Sequence, residues 1–359
     1  MSKAPLVFVG TYTETQGSQS EGIYVFRMDP FSGELTFERV IKNIPNPSFL
    51  GIHPGGRFFY AVNEVQNYGG KAGGGLSAFS INSAEINPLN GQFSQGSDPC
   101  YVSVDQTGRF VLVANYTSGR VAMFPIQADG QLGPASDVIQ HSGSSVHPER
   151  QAGPHAHCIL PDPTNRFAIA VDLGLDKLLI YQMDLEHGKL HHSHDVDVRP
   201  GAGPRHLTFH PNGPYAYLIN ELNATVMAYR YDSEDGTFEE LQTIPALPED
   251  FKDENLCADI HISPNGKYLY ASNRGHDSLV CFRIEENTGT LTYQNHTLTR
   301  GREPRNFAID PGGAFLLVAN QKTNNIVSFK IDAESGGLSS TDHDIKVPMP
   351  VCLKFLYFE

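Results

Sequence analysis

Short runs of β-branched and aromatic residues alternate along the chain with clusters of Gly, Pro, Asn and Asp. The longest apolar runs, such as residues 110–114 and 315–319, have the length of a single strand. No long stretch repeats apolar residues with the 3.6-residue period of a helix. This pattern predicts an all-β protein built from short antiparallel strands joined by tight turns.

A longer repeat is superimposed on this pattern of strands. Six copies of one phrase, an apolar run, a tight turn and a second apolar run ending in Asn or Asp, span residues 47–63, 99–115, 155–172, 204–220, 257–273 and 304–320. The apolar run 6–10 lies 53 residues before Asn63 and marks a seventh unit. Repeats of this length with four strands each are typical of β-propellers. We therefore predict an all-β, seven-bladed β-propeller with four antiparallel strands per blade, in a single domain over residues 1–359.

Two further features support seven units and a closed ring. A glycine followed two residues later by Leu or Phe predicts one recurrent turn per unit, at Gly33, Gly91, Gly130, Gly188, Gly236, Gly289 and Gly336. Residues 350–355 match the first strand of a unit, whereas residues 6–29 supply only later strands. We expect the two ends to complete one blade together, which removes free sheet edges from the ring.

Two sets of aligned residues are predicted to face one mouth of the propeller, because an antiparallel hairpin places its two outer ends at the same rim. The start of the first strand holds Ser48, Cys100, His157, Arg205, Ala258, Arg305 and Val351. The position after the terminal Asn or Asp holds Thr11, Glu64, Tyr116, Leu173, Glu221, Arg274 and Gln321. Charged side chains collect at these positions, so this mouth is the predicted ligand site.

The two longest irregular segments, residues 66–75 and 140–153, are predicted to lie at the same mouth. Long loops in a compact fold are usually lids or binding loops. Residues 69–75 are rich in glycine but lack the P-loop pattern, which favours a flexible lid over a phosphate cradle. The recurrent Asn and Asp residues are interpreted as structural, because nearly every unit has one.

Composition narrows the possible partners and surroundings. The formal net charge of −14 disfavours nucleic acid, which binds through Lys and Arg, and no apolar run is long enough for a membrane helix. The N-terminus shows no signal-peptide pattern, so a cytoplasmic location is expected. The five scattered cysteines predict reduced core thiols. We expect a monomer or a weak homodimer.

The chain resembles the seven-bladed lactonase family, whose members include propeller-type 6-phosphogluconolactonases and the fungal carboxy-cis,cis-muconate cyclase. The motifs that carry this resemblance are HPERQ at 147–151, GPHAH at 153–157, GPRH at 203–206, NEL at 220–222, SNRG at 272–275 and PRN at 304–306. The resemblance covers essentially the whole chain. It implies a catalytic set of Arg205, Glu221, Arg274 and one histidine of the GPHAH motif. That histidine is His157 by alignment of the units, with His155 as the alternative.

The resemblance implies hydrolysis of a small anionic sugar lactone, with 6-phosphogluconolactone as the first candidate. Such a reaction needs a base for the attacking water, for which Glu221 and His157 are candidates, and a donor for the developing oxyanion. The remaining candidates, which would contact the substrate, are Glu64, Arg150, His155, His206, Arg305 and Gln321. The arginines suit a phosphate or carboxylate, and their charge opposes a divalent cation. We predict no metal, no cofactor and no nucleophilic Ser or Cys.

Three alternatives stay open from the sequence. The same charges would serve a cyclase that closes a carboxylated muconate to a lactone, or a propeller that only binds an anionic metabolite. Arg205 and Glu221 could also form a structural salt bridge on one unit. His187, His191, His192 and His194 resemble a metal-binding tract, but they flank an outer turn and are expected to be solvated.

Overall fold

The computed structural model describes residues 4–82 and 85–357, which form thirty β-strands and contain no helix. Twenty-eight of the strands make seven four-stranded antiparallel sheets, and the other two form a small hairpin. The predicted seven-bladed β-propeller is therefore confirmed. The sheets are named blades 1 to 7 here, and the strands of each are given from the first to the fourth.

The strand boundaries follow the repeat of the sequence. Blade 1 contains β4 (Leu50–Ile52), β5 (Phe58–Asn63), β8 (Gly75–Asn82) and β9 (Glu85–Phe93). Blade 2 contains β10 (Pro99–Val104), β11 (Phe110–Asn115), β12 (Arg120–Pro125) and β13 (Asp137–Gln140). Blade 3 contains β14 (Ala156–Pro161), β15 (Phe167–Asp172), β16 (Lys177–Asp184) and β17 (Lys189–Asp197). Blade 4 contains β18 (Pro204–Phe209), β19 (Tyr215–Asn220), β20 (Thr225–Asp232) and β21 (Thr237–Pro245).

The remaining blades complete the circle. Blade 5 contains β22 (Leu256–Ile262), β23 (Tyr268–Arg274), β24 (Ser278–Ile284) and β25 (Leu291–Leu298). Blade 6 contains β26 (Pro304–Ile309), β27 (Phe315–Asn320), β28 (Asn325–Ile331) and β29 (Leu338–Lys346). Blade 7 contains β30 (Pro350–Leu356), β1 (Leu6–Thr11), β2 (Gly22–Met28) and β3 (Leu35–Lys42). The small hairpin consists of β6 (Asn67–Tyr68) and β7 (Lys71–Ala72).

The two ends of the chain close the ring as predicted. Strand β30 pairs antiparallel with β1, with Leu356 opposite Leu6 and Cys352 opposite Gly10. The first strands of neighbouring blades pack against one another around the whole circle, from β4 to β10 and onward to β30, which returns to β4. These first strands therefore line the central channel.

Burial explains the pattern of apolar and polar residues in the strands. The second strand of each blade is covered on both faces by neighbouring blades, so runs such as FVLVAN in β11 and FLLVAN in β27 are buried at every position. Strands buried on both faces lack the alternation of half-exposed strands. The fourth strands form the outer edges, and β17 accordingly exposes most of its residues.

The recurrent Asn side chains at the ends of second strands are structural. The amide groups of Asn63, Asn115, Asn273 and Asn320 donate hydrogen bonds to the backbone carbonyls of Pro45, Ser94, Ala246 and Thr299, at 2.9 to 3.1 Å. Each of these carbonyls lies in the segment that enters or precedes the same blade. The side chain therefore ties the connection that precedes the blade to the second strand of that blade.

Six of the seven predicted glycine turns lie between a third and a fourth strand, and their glycines have positive φ angles of 64 to 86°. The prediction was wrong for Gly91, which lies within β9 and pairs with Ser77 of β8. In this blade β8 ends at Asn82 and β9 begins at Glu85, so the chain reverses before Gly91. A glycine followed two residues later by Leu or Phe is therefore not sufficient to locate a turn; the pairing of the strands locates it.

Candidate active site

Backbone irregularities in the first strands aim the predicted residues into the channel. In six blades the pairing of the first strand with its neighbour shifts where that strand begins. The residues left unpaired by this shift include Cys100, His157, Arg205, Ala258, Arg305 and Val351. An extra residue in a β-bulge has its side chain redirected, and bulges often accompany active sites. The structure therefore brings the predicted ring of residues together around the axis.

Glu221 is the centre of a cluster of three arginines. Its Oε2 accepts a hydrogen bond from Nε of Arg205 at 3.0 Å and lies 2.9 Å from Nη2 of Arg274. Its Oε1 accepts a hydrogen bond from Nη2 of Arg150 at 2.5 Å. The side chains of Glu221 and Arg205 are almost fully buried. The predicted catalytic set of Arg205, Glu221 and Arg274 is thus assembled, with Arg150 added to it.

The charges in this cluster determine the protonation of Glu221. Burial alone would raise the pKa of its carboxyl group, but Arg274, Arg205 and Arg150 together lower that pKa to about 2. Burial also disfavours the charged form of Arg274 and lowers the pKa of its guanidinium to about 10. Glu221 is therefore a permanent anion at neutral pH and a weak proton acceptor.

Arg150 reaches this cluster from the long segment between blades 2 and 3. The segment is anchored by His141, whose Nδ1 lies 2.7 Å from Oδ2 of Asp172 and whose Nε2 lies 3.1 Å from the Tyr181 hydroxyl. Asp172 occupies the position that is Asn in most other blades, and the acid is explained by this pairing with a buried histidine. The predicted binding loop 140–153 therefore delivers a functional side chain to Glu221 across two blades.

His157 lies inside the ring and is 5 % exposed. Its Nδ1 is 3.6 Å from Sγ of Cys100, and its ring packs edge-on against Tyr116 and His206. Burial, reinforced by Arg205, holds its pKa well below the usual histidine value, so the ring is neutral at physiological pH. His155 lies at the rim, where it stacks on Tyr116 and contacts the Tyr116 carbonyl through Nδ1 at 3.1 Å.

Cys100 stands next to His157, a pairing that the repeat of the sequence does not reveal. Burial raises the pKa of the Cys100 thiol well above its ordinary value, and Sγ also contacts the backbone carbonyls of Ala156 and His157. A thiolate is the reactive form of cysteine, so this neutral pair is a poor nucleophile. All five cysteines are buried and free.

A buried polar network lies one residue deeper in the channel. Nδ1 of His206 is 2.8 Å from Asp259, and its Nε2 is 3.2 Å from Nη1 of Arg205. Asp259 also accepts hydrogen bonds from His261 at 2.9 Å and from Asn306. Burial, reinforced by Arg205, lowers the pKa of His206 to about 4. Both nitrogens of His206 are thus engaged within the protein, which suits positioning of Arg205 better than contact with a substrate.

Asp259 was not among the predicted site residues, although the sequence contains a signal for it. The position that follows each ring residue is Phe49, Tyr101, Cys158, His206, Asp259, Asn306 or Cys352. Three consecutive blades carry polar residues where the others carry aromatic residues or cysteine. Inspection of that second aligned position would have indicated the network.

Glu64 has different surroundings from Glu221. It accepts hydrogen bonds from the Tyr12 hydroxyl at 2.9 and 3.0 Å and from the Ser48 hydroxyl, and it forms no ion pair with any described residue. Burial raises its pKa, an effect that Arg305 partly opposes. Ser48 was predicted to face the mouth but not to take part in the site, and Tyr12 was not predicted at either level. Tyr12 follows the aligned position of blade 7 by one residue, and nothing in the repeat distinguishes it.

Arg305 and Gln321 stand on blade 6 at the positions that Arg205 and Glu221 occupy on blade 4. The Arg305 guanidinium lies over the Tyr12 ring at 5.5 Å and hydrogen-bonds to none of the described residues. Gln321 is 8 % exposed, and its Oε1 is buried without a hydrogen-bond partner in the described part of the chain. An amide therefore replaces the carboxylate that neutralises Arg205, so the charge of Arg305 is left available.

A small cavity is lined by residues from the surroundings of Glu64, Arg205 and Arg305. Its walls are Ser48, Phe49, Glu64, Cys100, Arg205, His206, Arg305, Asn306 and Val351. The space is sufficient for about one water molecule. Glu64 and Arg305 are only partly buried, so they connect the cavity with the mouth.

Other predicted features lie away from this centre. Segment 66–75 carries the β6–β7 hairpin, where the sequence predicted a flexible lid. His187, His191 and His192 are exposed and His194 is partly exposed, on or beside the outer strand β17. Across residues 4–82 and 85–357, no three His, Cys, Asp or Glu side chains are grouped to hold a metal ion. In the same residues no helix is long and apolar enough to cross a membrane. Metal independence and the cytoplasmic location stay predictions.

Comparison with known proteins identifies the family. Residues 6–355 match the family model described as lactonase, 7-bladed β-propeller. The chain is 39 % identical to a 6-phosphogluconolactonase of Bacillus subtilis over 352 residues, 98 % of each chain. It is 37 % identical to a 6-phosphogluconolactonase of Formosa agariphila over 310 residues, 84 % of this chain and 86 % of that protein.

A solved structure agrees with this assignment. The periplasmic gluconolactonase of Pseudomonas aeruginosa superposes with a TM-score of 0.93 at 34 % identity, covering 99 % of this chain and 100 % of that one. The sequence match and the structural match both extend over nearly the whole propeller, mouth included. This chain belongs to the seven-bladed β-propeller lactonase family.

Proposed function

We propose that this protein hydrolyses a sugar δ-lactone and that its preferred substrate is 6-phosphogluconolactone. The family and the relatives named as 6-phosphogluconolactonases support the reaction class. The observation that carries the choice of an anionic substrate is the charge of the mouth. Four arginines, at positions 150, 205, 274 and 305, face two glutamates in a protein whose net charge is −14.

Arg305 is the arginine best suited to hold the phosphate. Arg150, Arg205 and Arg274 already share the Glu221 carboxylate, whereas the Arg305 guanidinium has no hydrogen-bond acceptor among the described residues. A guanidinium binds a phosphate through two parallel N–H donors. The ring of Tyr12 holds Arg305 by a cation–π contact without using those donors.

Arg205 and Arg274 are placed to stabilise the oxyanion that forms when the lactone carbonyl is attacked. Glu221 fixes both guanidinium groups, yet Nη2 of Arg205 and Nη1 of Arg274 hydrogen-bond to no described residue. Donors fixed in advance around a developing negative charge contribute about 10² to 10³ in rate. In this role the Glu221 carboxylate orients the two arginines, and its negative charge compensates for the burial of their positive charges.

The proposal is tested by proton release in a weakly buffered lactone assay, because hydrolysis produces an acid. We expect acceleration over the spontaneous rate with 6-phosphogluconolactone, unchanged by a chelator. A rate equal to the spontaneous one with phosphorylated and plain sugar lactones would contradict the proposal. Loss of diene absorbance with a carboxylated muconate, in place of lactone hydrolysis, would assign the site to the reverse type of chemistry.

A further inference from the structure

The two ring carboxylates differ in ways that assign them different tasks. Resting on the proposed lactone hydrolysis, the geometry points to Glu64 as the general base that activates the attacking water. Glu221 is then a positioning residue for the arginines.

The first support is the set of contacts made by each carboxylate. Glu221 is saturated by three arginines at 2.5 to 3.0 Å. Glu64 is held by two neutral hydroxyls, from Tyr12 and Ser48. A carboxylate has about four acceptor positions, and these contacts use three of them, which leaves one on Oε1. Glu64 can therefore receive a further hydrogen bond, from a water molecule.

The second support is the position of Glu64 in the wall of the small cavity. Arg205 and Arg305 line the same cavity, which is large enough for about one water molecule. A water there can donate to Glu64 while the arginine side of the cavity faces the substrate. A general base must lie within hydrogen-bonding reach of the proton that it takes, and this arrangement meets that condition.

The surroundings of Glu64 also adjust its basicity. Burial raises its pKa, Arg305 and the hydroxyls of Ser48 and Tyr12 lower it, and Asp98 raises it. Cys100, which also lines the cavity, stays neutral because burial raises the pKa of its thiol. The net result is a carboxylate that is more basic than usual, while Glu221 is much less basic. Environments that separate two carboxyl pKa values commonly separate their catalytic roles.

The chemical step balances without a cofactor. Glu64 takes one proton from water as the water oxygen bonds to the lactone carbonyl carbon. The tetrahedral intermediate then collapses, the bond from this carbon to the ring oxygen breaks, and that oxygen receives the proton from Glu64. The product carboxylic acid ionises and releases one proton, which is the proton that the assay detects.

The test compares Glu64→Gln with Glu64→Asp and with the control Glu14→Gln. We expect Glu64→Gln to lower kcat about 10²- to 10⁴-fold, the usual contribution of a general base, with little change in KM. Glu64→Asp retains a carboxylate and should recover part of that rate. Glu14 is exposed in the loop that follows β1, and among the described residues only its backbone nitrogen is hydrogen-bonded, to Oδ1 of Asn46, so its variant should keep the wild-type kcat.

The pH profile distinguishes a base from a merely structural residue. Activity should fall on the acid side as Glu64 becomes protonated, and this limb should be absent from the residual activity of Glu64→Gln. Ser48→Ala removes a hydrogen bond that favours the ionised carboxylate. The Glu64 pKa should rise, so the acid limb of this variant should move to higher pH.

An active wild-type enzyme whose Glu64→Gln variant keeps its kcat and acid limb would overturn the assignment of Glu64 alone. An acid limb that Ser48→Ala leaves in place would also contradict it. A wild-type protein that does not accelerate lactone hydrolysis would overturn the proposed function and this inference together. The two failures are therefore distinguished by the wild-type rate.

Discussion

At the scale of single residues, Glu221 contributes an electrostatic contact to stability as well as to the site. Removing one partner from a buried ion pair leaves uncompensated charge, which is strongly destabilising. Three buried or partly buried arginines depend on this one carboxylate. Arg205 and Glu221 can therefore form a stabilising salt bridge and also serve the site. The pH dependence of stability and that of activity distinguish the two roles.

We predict that Glu221→Gln lowers the melting temperature and that this loss depends on pH. Glu221 has an unperturbed pKa of 4.5 and a folded-state pKa of about 2, so its ionised form stabilises the fold fully above 4.5. That contribution is lost as pH falls from 4.5 toward 2. The difference in unfolding free energy between wild type and variant, measured by denaturant titration, should therefore narrow over this range. A difference that is constant with pH would contradict the ion-pair account.

The two histidines of the GPHAH motif give a second prediction at this scale. His157 faces the ring and His155 lies at its rim, so His157→Ala should lower kcat/KM about tenfold, the loss of roughly one hydrogen bond. His155→Ala should have a smaller effect. His192→Ala, on the outer strand of blade 3, is the control and should be neutral. A larger loss of kcat/KM in His155→Ala than in His157→Ala would contradict the assignment of His157 to the site.

At the scale of elements, the β-bulge at the start of the first strand in six of the seven blades connects the repeat to the function. The repeat predicted which residues share the mouth, because hairpin geometry fixes which ends of two strands meet. It could not predict which carboxylate would be saturated by arginine, because Arg150 arrives from a loop whose path is set by His141 and Asp172. The mistaken turn at Gly91 has a similar cause, since a two-residue pattern carries less information than the pairing of β8 with β9.

Strand β30 gives the prediction that belongs to this scale. Deleting residues 350–359 removes the partner of β1 and one side of the channel, and it leaves an exposed strand edge on blade 7. We expect a broader melting transition at lower temperature and increased self-association, measured by calorimetry and light scattering. Deletion of the two terminal residues 358–359, which leaves β30 complete, is the control. Unchanged cooperative melting after the longer deletion would contradict closure by β30.

At the scale of the whole molecule, an acidic protein concentrates arginine in one mouth. The net charge of −14 keeps anionic ligands from binding at random, while the mouth provides one place where they are favoured. The sequence predicted the propeller, its closure and most residues of this mouth. The sequence did not reveal that Arg305 lacks a carboxylate partner on its own blade. That follows from the structure, where the neutral Gln321 occupies the position that Glu221 has on blade 4.

The most direct test of this account compares kcat/KM for 6-phosphogluconolactone and for the unphosphorylated gluconolactone, in wild type and in Arg305→Gln. We expect wild type to hydrolyse the phosphorylated lactone faster, because Arg305 binds its phosphate. Arg305→Gln should lose that preference, about 10- to 100-fold for a charged hydrogen-bonded contact, with the plain lactone little affected. An account based on the arginine-rich mouth would be contradicted if wild type accelerated neither lactone, or if Arg305→Gln kept the full preference for the phosphate.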